Sequence, residues 1–491
     1  MGRNYLAIDL GAESGRTILG TIADGKLTFT ETHRFPNGPV QLPDGLHWDV
    51  LRLWSDIQAG IAASATHPAG ERGASSPLAS LALDTWGVDF ALLDKNGVLL
   101  GNPYHYRDVR TDGMLNEAFR RVPREQIFAQ TGIQFMQINT LYQLLAMRIQ
   151  KSPLLDAAQT FLTIPDLFNY WLSGSLFCEF TNATTTQCFD PVRRAWASPL
   201  LEKLEIPTRI LPPICEPGTA LGSLRPEVAA KTGAGLIPVI APACHDTGSA
   251  VVAVPAEGKD FAWLSSGTWS IMGVEADAPC VDERALAYNF TNEGGVFGTW
   301  RLSKNIMGLW LIQECKREWN ISYDEITQLA AAATPFLAVI DPDAELFFHP
   351  GDMPAKIQKF CAESGQPIPQ TRGEIVRVAL ESLALKYRLV LERLETLTGK
   401  RLAPLHIIGG GTKNRLLNQL TADCLDRPVI TGPVEATAIG NILMQAITLG
   451  HLSGLNEARA LVRHSFDVET FQPGNRMGWD GAYQKLLNLT K

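Results

Sequence analysis

Short apolar runs that break into turns of glycine, serine and aspartate recur along the chain, and they constrain its fold more than any other feature. They are "YLAIDLG" (5–11), "LASLALDTWGVDFALLD" (78–94), "LIPVIAPACHD" (236–246), "FAWLSSGTWSIMG" (261–273) and "LHIIGGG" (405–411). Helix-like stretches separate them, which is the alternation of an α/β protein whose sheets are covered by helices. The strongest helical pattern is "EIVRVALESLALKYRLVLERLETLTG" (374–399), where Ile375, Ala379, Leu380, Leu383, Ala384, Tyr387, Val390, Leu391 and Leu394 keep a 3.6-residue period. It predicts a helix that buries one broad face and stops at Gly399.

The 491 residues allow two or three domains with buried cores. A hairpin-like "AIDLGAESGRTILGTI" opens the chain, and a comparable "WLSSGTWSIMGVE" (263–275) opens its second half. This hints at two similar lobes facing a cleft. The portion from about 100 to 240 carries helix-like segments and a turn-rich "LPPICEPGTALG", so it reads as elaboration on a core fold.

Several function classes are disfavoured. Net charge is −8 with both signs interleaved, and no Lys/Arg block stands ready to neutralise a row of phosphates on a nucleic acid. No apolar run reaches the about 18 residues of a spanning helix. The start enters a strand-like run without the three parts of a secretion signal, so a cytoplasmic protein is expected. Eight cysteines at irregular spacings, none in Cys-x-x-Cys, read as small hydrophobes in a reducing compartment. No His/Cys cluster has the spacing of a structural zinc site.

Three turns suit phosphate chemistry. In "IDLGAESGR" (8–16) a buried strand ends in small and polar residues that let backbone N–H groups approach a polyanion, although a plain hairpin turn has the same composition. It is neither a Walker loop nor the dinucleotide G-x-G-x-x-G, so a dehydrogenase is disfavoured. In "SSGTWS" (265–270) the Thr268 hydroxyl could reach a terminal phosphate or bond its own backbone. In "HIIGGGTKNRLLNQL" (406–420) three glycines stand between a strand and a helix, and Asn414 could bond a base or ribose. Together the three turns point to a nucleotide held between two lobes. In "ACHDTGSAV" (243–251), Asp246 is open to two readings, a chemical base or a turn residue.

With these turns, the segments "YRDVRTDG" (106–113), "EFTNATTTQ" (179–187), "NEGG" (292–295), "KNIMGLWLIQE" (304–314) and "GPVEATAIGNI" (432–442) resemble the FGGY sugar kinases. These belong to the superfamily of actin, hexokinase and the heat-shock ATPases. "DTWGVDF", "TNATTTQ", "SSGTWSIMG" and "KNIMGLW" look like the branch that phosphorylates L-rhamnulose. The resemblance implies two actin-like (ribonuclease H-like) lobes with a central ATP/sugar cleft, the sugar on residues 1–245 and ATP on residues 246–491. It implies Ala12, Glu13, Ser14, Gly15, Arg16, Thr268, Gln313, Gly410, Gly411 and Asn414 as ATP contacts. Gly87, His245, Asp246, Thr247 and Asn305 are implied as sugar contacts, Asp246 as proton acceptor, and Asp9 near a Mg²⁺ reached through water.

Phosphoryl transfer needs an acceptor hydroxyl in line with the γ-phosphate, a carboxylate to take its proton, and Mg²⁺ with backbone donors to spread charge. An Asp following a buried strand suits the proton. Glu13 departs from the small polar residue common in such loops, and we expect it to address the Mg²⁺ water shell. Trp86 could line the sugar site or simply pack. Two alternatives stay open, a family member acting on L-fuculose, xylulose or glycerol, and a non-catalytic ATP-binding protein of the superfamily.

Overall fold

The computed structural model describes residues 2–67 and 77–490, in two compact units. One unit comprises Met1–Ala253, Glu275–Leu302 and Ala436–Ser465, and the other Val254–Val274, Ser303–Glu435 and Phe466–Lys491. A division at residues 245 and 246 is the sequence expectation. The units differ from it in that Asp246–Ala253, Glu275–Leu302 and Ala436–Ser465 all join the first.

The first unit is built on a six-stranded sheet of β1 (Arg3–Leu10), β2 (Ser14–Ala23), β3 (Lys26–Pro36), β4 (Leu78–Thr85), β5 (Thr219–Ser223) and β6 (Pro238–Ala241), in the order β5-β6-β4-β1-β2-β3. β1, β2 and β3 form an antiparallel meander, while β4 and β6 run parallel to β1. The parallel strands are covered on both faces, which is why "LAIDL" and "LALD" read as unbroken apolar runs rather than alternating ones. Leu6, Ile8, Leu10, Leu81, Leu83 and Val239 share one core with Leu53 and Ile57 of the helix Val50–Thr66. Asp49 starts that helix by accepting the Arg52 N–H.

Polar ties fix a second helix, Ala436–Thr448, to the same strands. Gln445 Nε2 donates to the Leu6 carbonyl at 3.0 Å, and Ser80 Oγ donates to Gln445 Oε1 at 2.7 Å. Buried amides of this kind hold register because each unmade bond would cost about 1–3 kcal/mol. The elaboration between residues 90 and 210 has its own core of Phe90, Leu141, Leu144, Leu145, Phe161 and Leu200.

The second unit repeats the plan. β7 (Ala262–Ser266) and β8 (Ser270–Ala276, within this unit up to Val274) form an antiparallel hairpin. β9 (Leu405–Ile408) and β10 (Val429–Thr431) follow β7 in parallel, and β11 (Glu469–Phe471) closes the edge antiparallel to β10. A hairpin followed by two parallel strands is the pattern of β1, β2, β4 and β6, so the duplication hinted at by the two hairpins is present in the strand order.

The long helix runs over Arg372–Thr398, opened by a Thr371/Glu374 capping box and ended at Gly399 with φ +68. Its burial exceeds the expected single face. Every residue from Val378 to Tyr387 is buried, because Glu381 and Lys386 on the remaining face are themselves paired. Arg377 Nε donates to Glu381 at 2.6 Å, and Lys386 Nζ lies 2.7 Å from Asp341 and 2.9 Å from Asp343. Among the described residues no helix is long and apolar enough to cross a membrane, and all eight cysteines are free.

Candidate active site

Strand β6 delivers the chain to Cys244 and His245, and the helix Asp246–Val252 begins at Asp246. Three neighbours hold this junction. The Thr85 N–H at the end of β4 donates to the Cys244 carbonyl at 2.9 Å. Glu179 accepts the Cys244 N–H at 3.1 Å, and Thr181 Oγ1 accepts the His245 N–H at 3.1 Å. Glu179 also takes the N–H groups of Thr181 and Asn182 and the Thr181 hydroxyl. Burial nevertheless raises its carboxyl to about 8. Asp246 therefore stands at the start of a helix whose approach is fixed by backbone bonds, and it is not an ordinary turn residue.

The two oxygens of Asp246 differ. Oδ1 accepts the Thr247 N–H and the Thr247 hydroxyl at 3.0 Å, with His245 Nε2 at 3.3 Å. Oδ2 accepts from none of the described residues, and the side chain is 32 % exposed. Burial raises the carboxyl above its ordinary range, His245 opposes that, and the charge of Asp9 adds to it. The result is a carboxylate with one occupied oxygen, one available oxygen and enhanced basicity.

Behind His245 lies a buried ion pair. Arg301 Nη2 is 2.9 Å from His245 Nδ1 and 3.0 Å from Glu293 Oε2, and Arg301 Nε donates to the Gly294 carbonyl at 2.8 Å. Burial works against the Glu293 charge, yet the Arg301 guanidinium holds its carboxyl below the ordinary range. Neither Glu293, within "NEGG", nor Arg301 stands out in the sequence as a site residue. The available signal was a lone acid and a lone arginine inside otherwise strand-like runs.

Asp9, the penultimate residue of β1, lies beside Asp84, its register partner on β4. Its Oδ2 accepts from Arg16 Nε at 3.1 Å and Nη2 at 2.9 Å. Arg16, expected at phosphate, is thus engaged with Asp9. Ala12, Glu13 and Ser14 form the β1–β2 turn, closed by the Gly11 N–H on the Ser14 carbonyl at 2.9 Å. Glu13 is exposed, and its carbonyl accepts the Asn37 N–H at 3.0 Å. A Cβ at Gly15 would collide with the Phe35 ring, so packing alone already requires glycine here. Among the described residues no group of three His, Cys, Asp or Glu could hold a metal directly.

Gly87 sits in a strained turn. Val88 has φ +69, an outlying conformation for a β-branched residue. Thr185 Oγ1 accepts the Val88 N–H at 3.1 Å and donates to the Asn182 carbonyl at 2.8 Å, and a Cβ at Gly87 would press on Thr185. "TNATTTQ" is therefore the clamp on both the Gly87 turn and the Asp246 junction, a role the sequence did not disclose. Trp86 is buried with its ring 4.0 Å from that of Trp48 and its N–H on Asp89 Oδ2 at 3.0 Å, which is the packing role.

In the second unit, the helix Trp310–Trp319 starts against the β7–β8 turn. The Trp310 N–H donates to the Thr268 carbonyl and the Leu309 N–H to the Gly267 carbonyl, each at 3.1 Å. The Thr268 hydroxyl bonds none of the described residues. One turn along the helix, Gln313 Oε1 is buried without a partner among the described residues. Gly410 and Gly411 open a 3₁₀ turn after β9. A Cβ at Gly411 would strike Ser266, whereas nothing lies within 4 Å of one at Gly410. Asn414 caps the helix Arg415–Leu425 by accepting the Leu417 N–H at 3.0 Å, which commits its carbonyl and leaves its amide. Asn305 lies on the strand Trp300–Ile306, in this unit rather than with Gly87 and Asp246.

Models of the N-terminal and C-terminal domains of the FGGY family of carbohydrate kinases match residues 4–253 and 262–449. A rhamnulokinase of Bacteroides thetaiotaomicron is 44 % identical, with both chains covered in full. A rhamnulokinase of Oceanobacillus iheyensis is 42 % identical over 95 % of this chain and 97 % of its own. Among solved structures, ligand-bound xylulose kinase from Lactobacillus acidophilus superposes with a TM-score of 0.81 at 18 % identity, over 99 % of this chain and 96 % of that one. Plasmodium falciparum glycerol kinase with ADP gives 0.78 at 16 %, over 100 % and 97 %. At those identities the likeness is one of fold, and it agrees with a two-unit, actin-like α/β architecture.

Proposed function

The chain belongs to the FGGY family of carbohydrate kinases, and from that premise we propose that it transfers the γ-phosphoryl group of ATP to the 1-hydroxyl of L-rhamnulose. The products are ADP and L-rhamnulose 1-phosphate, in the breakdown of L-rhamnose. The observation that carries the chemistry is the asymmetry of Asp246, whose Oδ1 is occupied by the N–H and hydroxyl of Thr247 while Oδ2 is left to accept a proton. The full-length identity to rhamnulokinases supports the choice of sugar.

In this reading the sugar O1–H gives its proton to Asp246 Oδ2 as the O1–Pγ bond forms and the bond from Pγ to the β,γ-bridging oxygen breaks toward ADP. Gly87, His245, Thr247 and Asn305 orient the ketose. Ala12, Glu13, Ser14, Gly15 and Arg16 face the phosphates, with Thr268, Gln313, Gly410, Gly411 and Asn414 on the nucleotide. Gly87, His245, Asp246 and Thr247 belong to the first unit and Thr268, Gln313, Gly410, Gly411 and Asn414 to the second, so the sugar is read mainly on the N-terminal unit and the nucleotide mainly on the C-terminal one. Asp9, whose Oδ2 is taken by Arg16, and the exposed Glu13 are the carboxylates that would hold a Mg²⁺ ion through its water shell. Such an ion would neutralise charge on the phosphates. The free cysteines support a reducing, cytoplasmic setting.

The test is ADP release across L-rhamnulose, L-fuculose, xylulose and glycerol, with wild type and Asp246→Asn. L-Rhamnulose should give the highest kcat/KM. Turnover of L-fuculose or glycerol well above it would replace the substrate, and ATP consumption that no sugar accelerates would remove the kinase reading.

A further inference from the structure

Arg301 is 1 % exposed at its side chain and Glu293 7 %, so their charges have left water and persist only through their partners. A guanidinium can donate hydrogen bonds but cannot accept them. At 2.9 Å from Arg301 Nη2, His245 Nδ1 must therefore present a lone pair. That leaves the single ring proton on Nε2, the nitrogen 3.3 Å from Asp246 Oδ1. Glu293 lies 3.3 Å from the same Nδ1 and would draw the proton to that side, but its Oε2 is also 3.0 Å from Arg301 Nη2. The arginine thus balances the charge of the acid and blocks the other tautomer at once.

From this geometry we infer that Arg301, held by Glu293, is a positioning residue that fixes His245 as the Nε2–H tautomer and so dictates that Asp246 accepts the substrate proton on Oδ2. The inference rests on Asp246 being the base. The N–H and hydroxyl of Thr247, both bonded to Oδ1, together with the His245 Nε2–H dipole 3.3 Å away, lower the basicity of that oxygen and stop the carboxylate from rotating. Without Arg301 the ring proton moves to Nδ1 and is donated to Glu293. His245 Nε2 then turns a lone pair toward Asp246 Oδ1, which repels the carboxylate from its set orientation. The wrong tautomer of a histidine that orients a reacting group is costly in enzymes generally, and here, one step removed from the base, roughly a tenfold to hundredfold loss in kcat is expected.

The test reads the tautomer directly. Long-range ¹⁵N–¹H correlation of uniformly labelled wild-type protein, with His245 assigned by its absence in His245→Gln, should show a protonated Nε2 and a bare Nδ1. A protonated Nδ1 in wild type overturns the inference, and this arm needs no variant that folds poorly. In Arg301→Met the proton should move to Nδ1, with kcat lowered about tenfold to a hundredfold and KM for ATP within about twofold of wild type. Arg301→Lys keeps a donor for Nδ1 and should restore the Nε2–H form and most of kcat. Arg301→Met that retains both the wild-type tautomer and the wild-type kcat also overturns it. Asp246→Asn run in parallel separates the two readings. Wild-type turnover there removes the base itself, whereas an inactive Asp246→Asn beside a normal Arg301→Met removes only the role of Arg301.

Discussion

Asn441 donates its side-chain amide to Oδ2 of Asp84 at 2.6 Å, while Oδ1 of the same carboxylate is buried without a partner among the described residues. Burial first, then the charge of Asp9, push the Asp84 carboxyl well above its ordinary range, and Asp246 adds to this. The folded protein therefore keeps the Asp84 proton to a higher pH than the unfolded chain does. Between those two limits the native state binds more protons, so this contribution to stability is complete below the ordinary carboxylate range and is lost as pH rises through the folded value. Asp84→Asn keeps an acceptor for Asn441 and removes the ionisation. Its Tm should exceed that of wild type at neutral pH and fall less between about pH 4 and pH 8. A variant that melts below wild type with the same slope would show that Asp84 is not held protonated.

Asp246→Asn preserves shape and acceptance from Thr247 but cannot take a proton. Loss of a positioned base lowers turnover by about 10²–10⁴-fold, and sugar affinity measured by calorimetry should stay within a few fold. Because burial lifts the Asp246 carboxyl, activity of the wild type should be lost, as pH falls, at a pH above the ordinary carboxylate range. An acid limb at or below that range would contradict the assignment.

Gly410 and Gly411 are adjacent in sequence yet make opposite demands. A Cβ at Gly411 would strike Ser266 on β7, and one at Gly410 would meet nothing within 4 Å. Gly411→Ala should thus lose roughly 1–3 kcal/mol of stability, the ordinary cost of overpacking. Gly410→Ala should melt like wild type while raising KM for ATP, because its open side is where a nucleotide approaches. Equal Tm values for the two variants would refute the packing distinction, and an unchanged KM in Gly410→Ala would remove that residue from the nucleotide site.

The order of these elements was legible because strand-to-turn punctuation is a local property: "AIDLG", "LSSG" and "IIGGG" each announce a strand and its exit. Asp246 was legible as a candidate because its strand and its small-residue neighbours are contiguous. Its supports were not. Glu179, Glu293, Arg301 and Asn441 reach the Asp84–Asp246 region from segments roughly 50 to 360 residues away in sequence, and no period links them. The same limit explains Gly15, whose need for glycine follows from Phe35 on β3. It also explains the long helix, whose all-round burial depends on Asp341 and Asp343 meeting Lys386.

Gly440, on the helix Ala436–Thr448, offers a way to move the base without touching the site. A Cβ there would run into the backbone carbonyl of Ser249, three residues beyond Asp246 on the helix Asp246–Val252. A carbonyl cannot rotate aside as a side chain can, so the two helices must separate. Ser249 Oγ is also bonded to the Ala243 carbonyl at 2.7 Å, which transmits the displacement to the junction before Asp246. Gly440→Ala should therefore cost about 1–3 kcal/mol and lower kcat at least tenfold, since misplacement of a reacting group by about 1 Å can cost about 10²-fold. Gly20→Ala is the control. Its Cβ would meet the side chain of Ile442 on the same helix, and the far end of that chain can turn away. It should lose less stability and keep kcat. If Gly440→Ala matched wild type in kcat at a temperature where it remains folded, the close contact of these helices would have no part in setting Asp246.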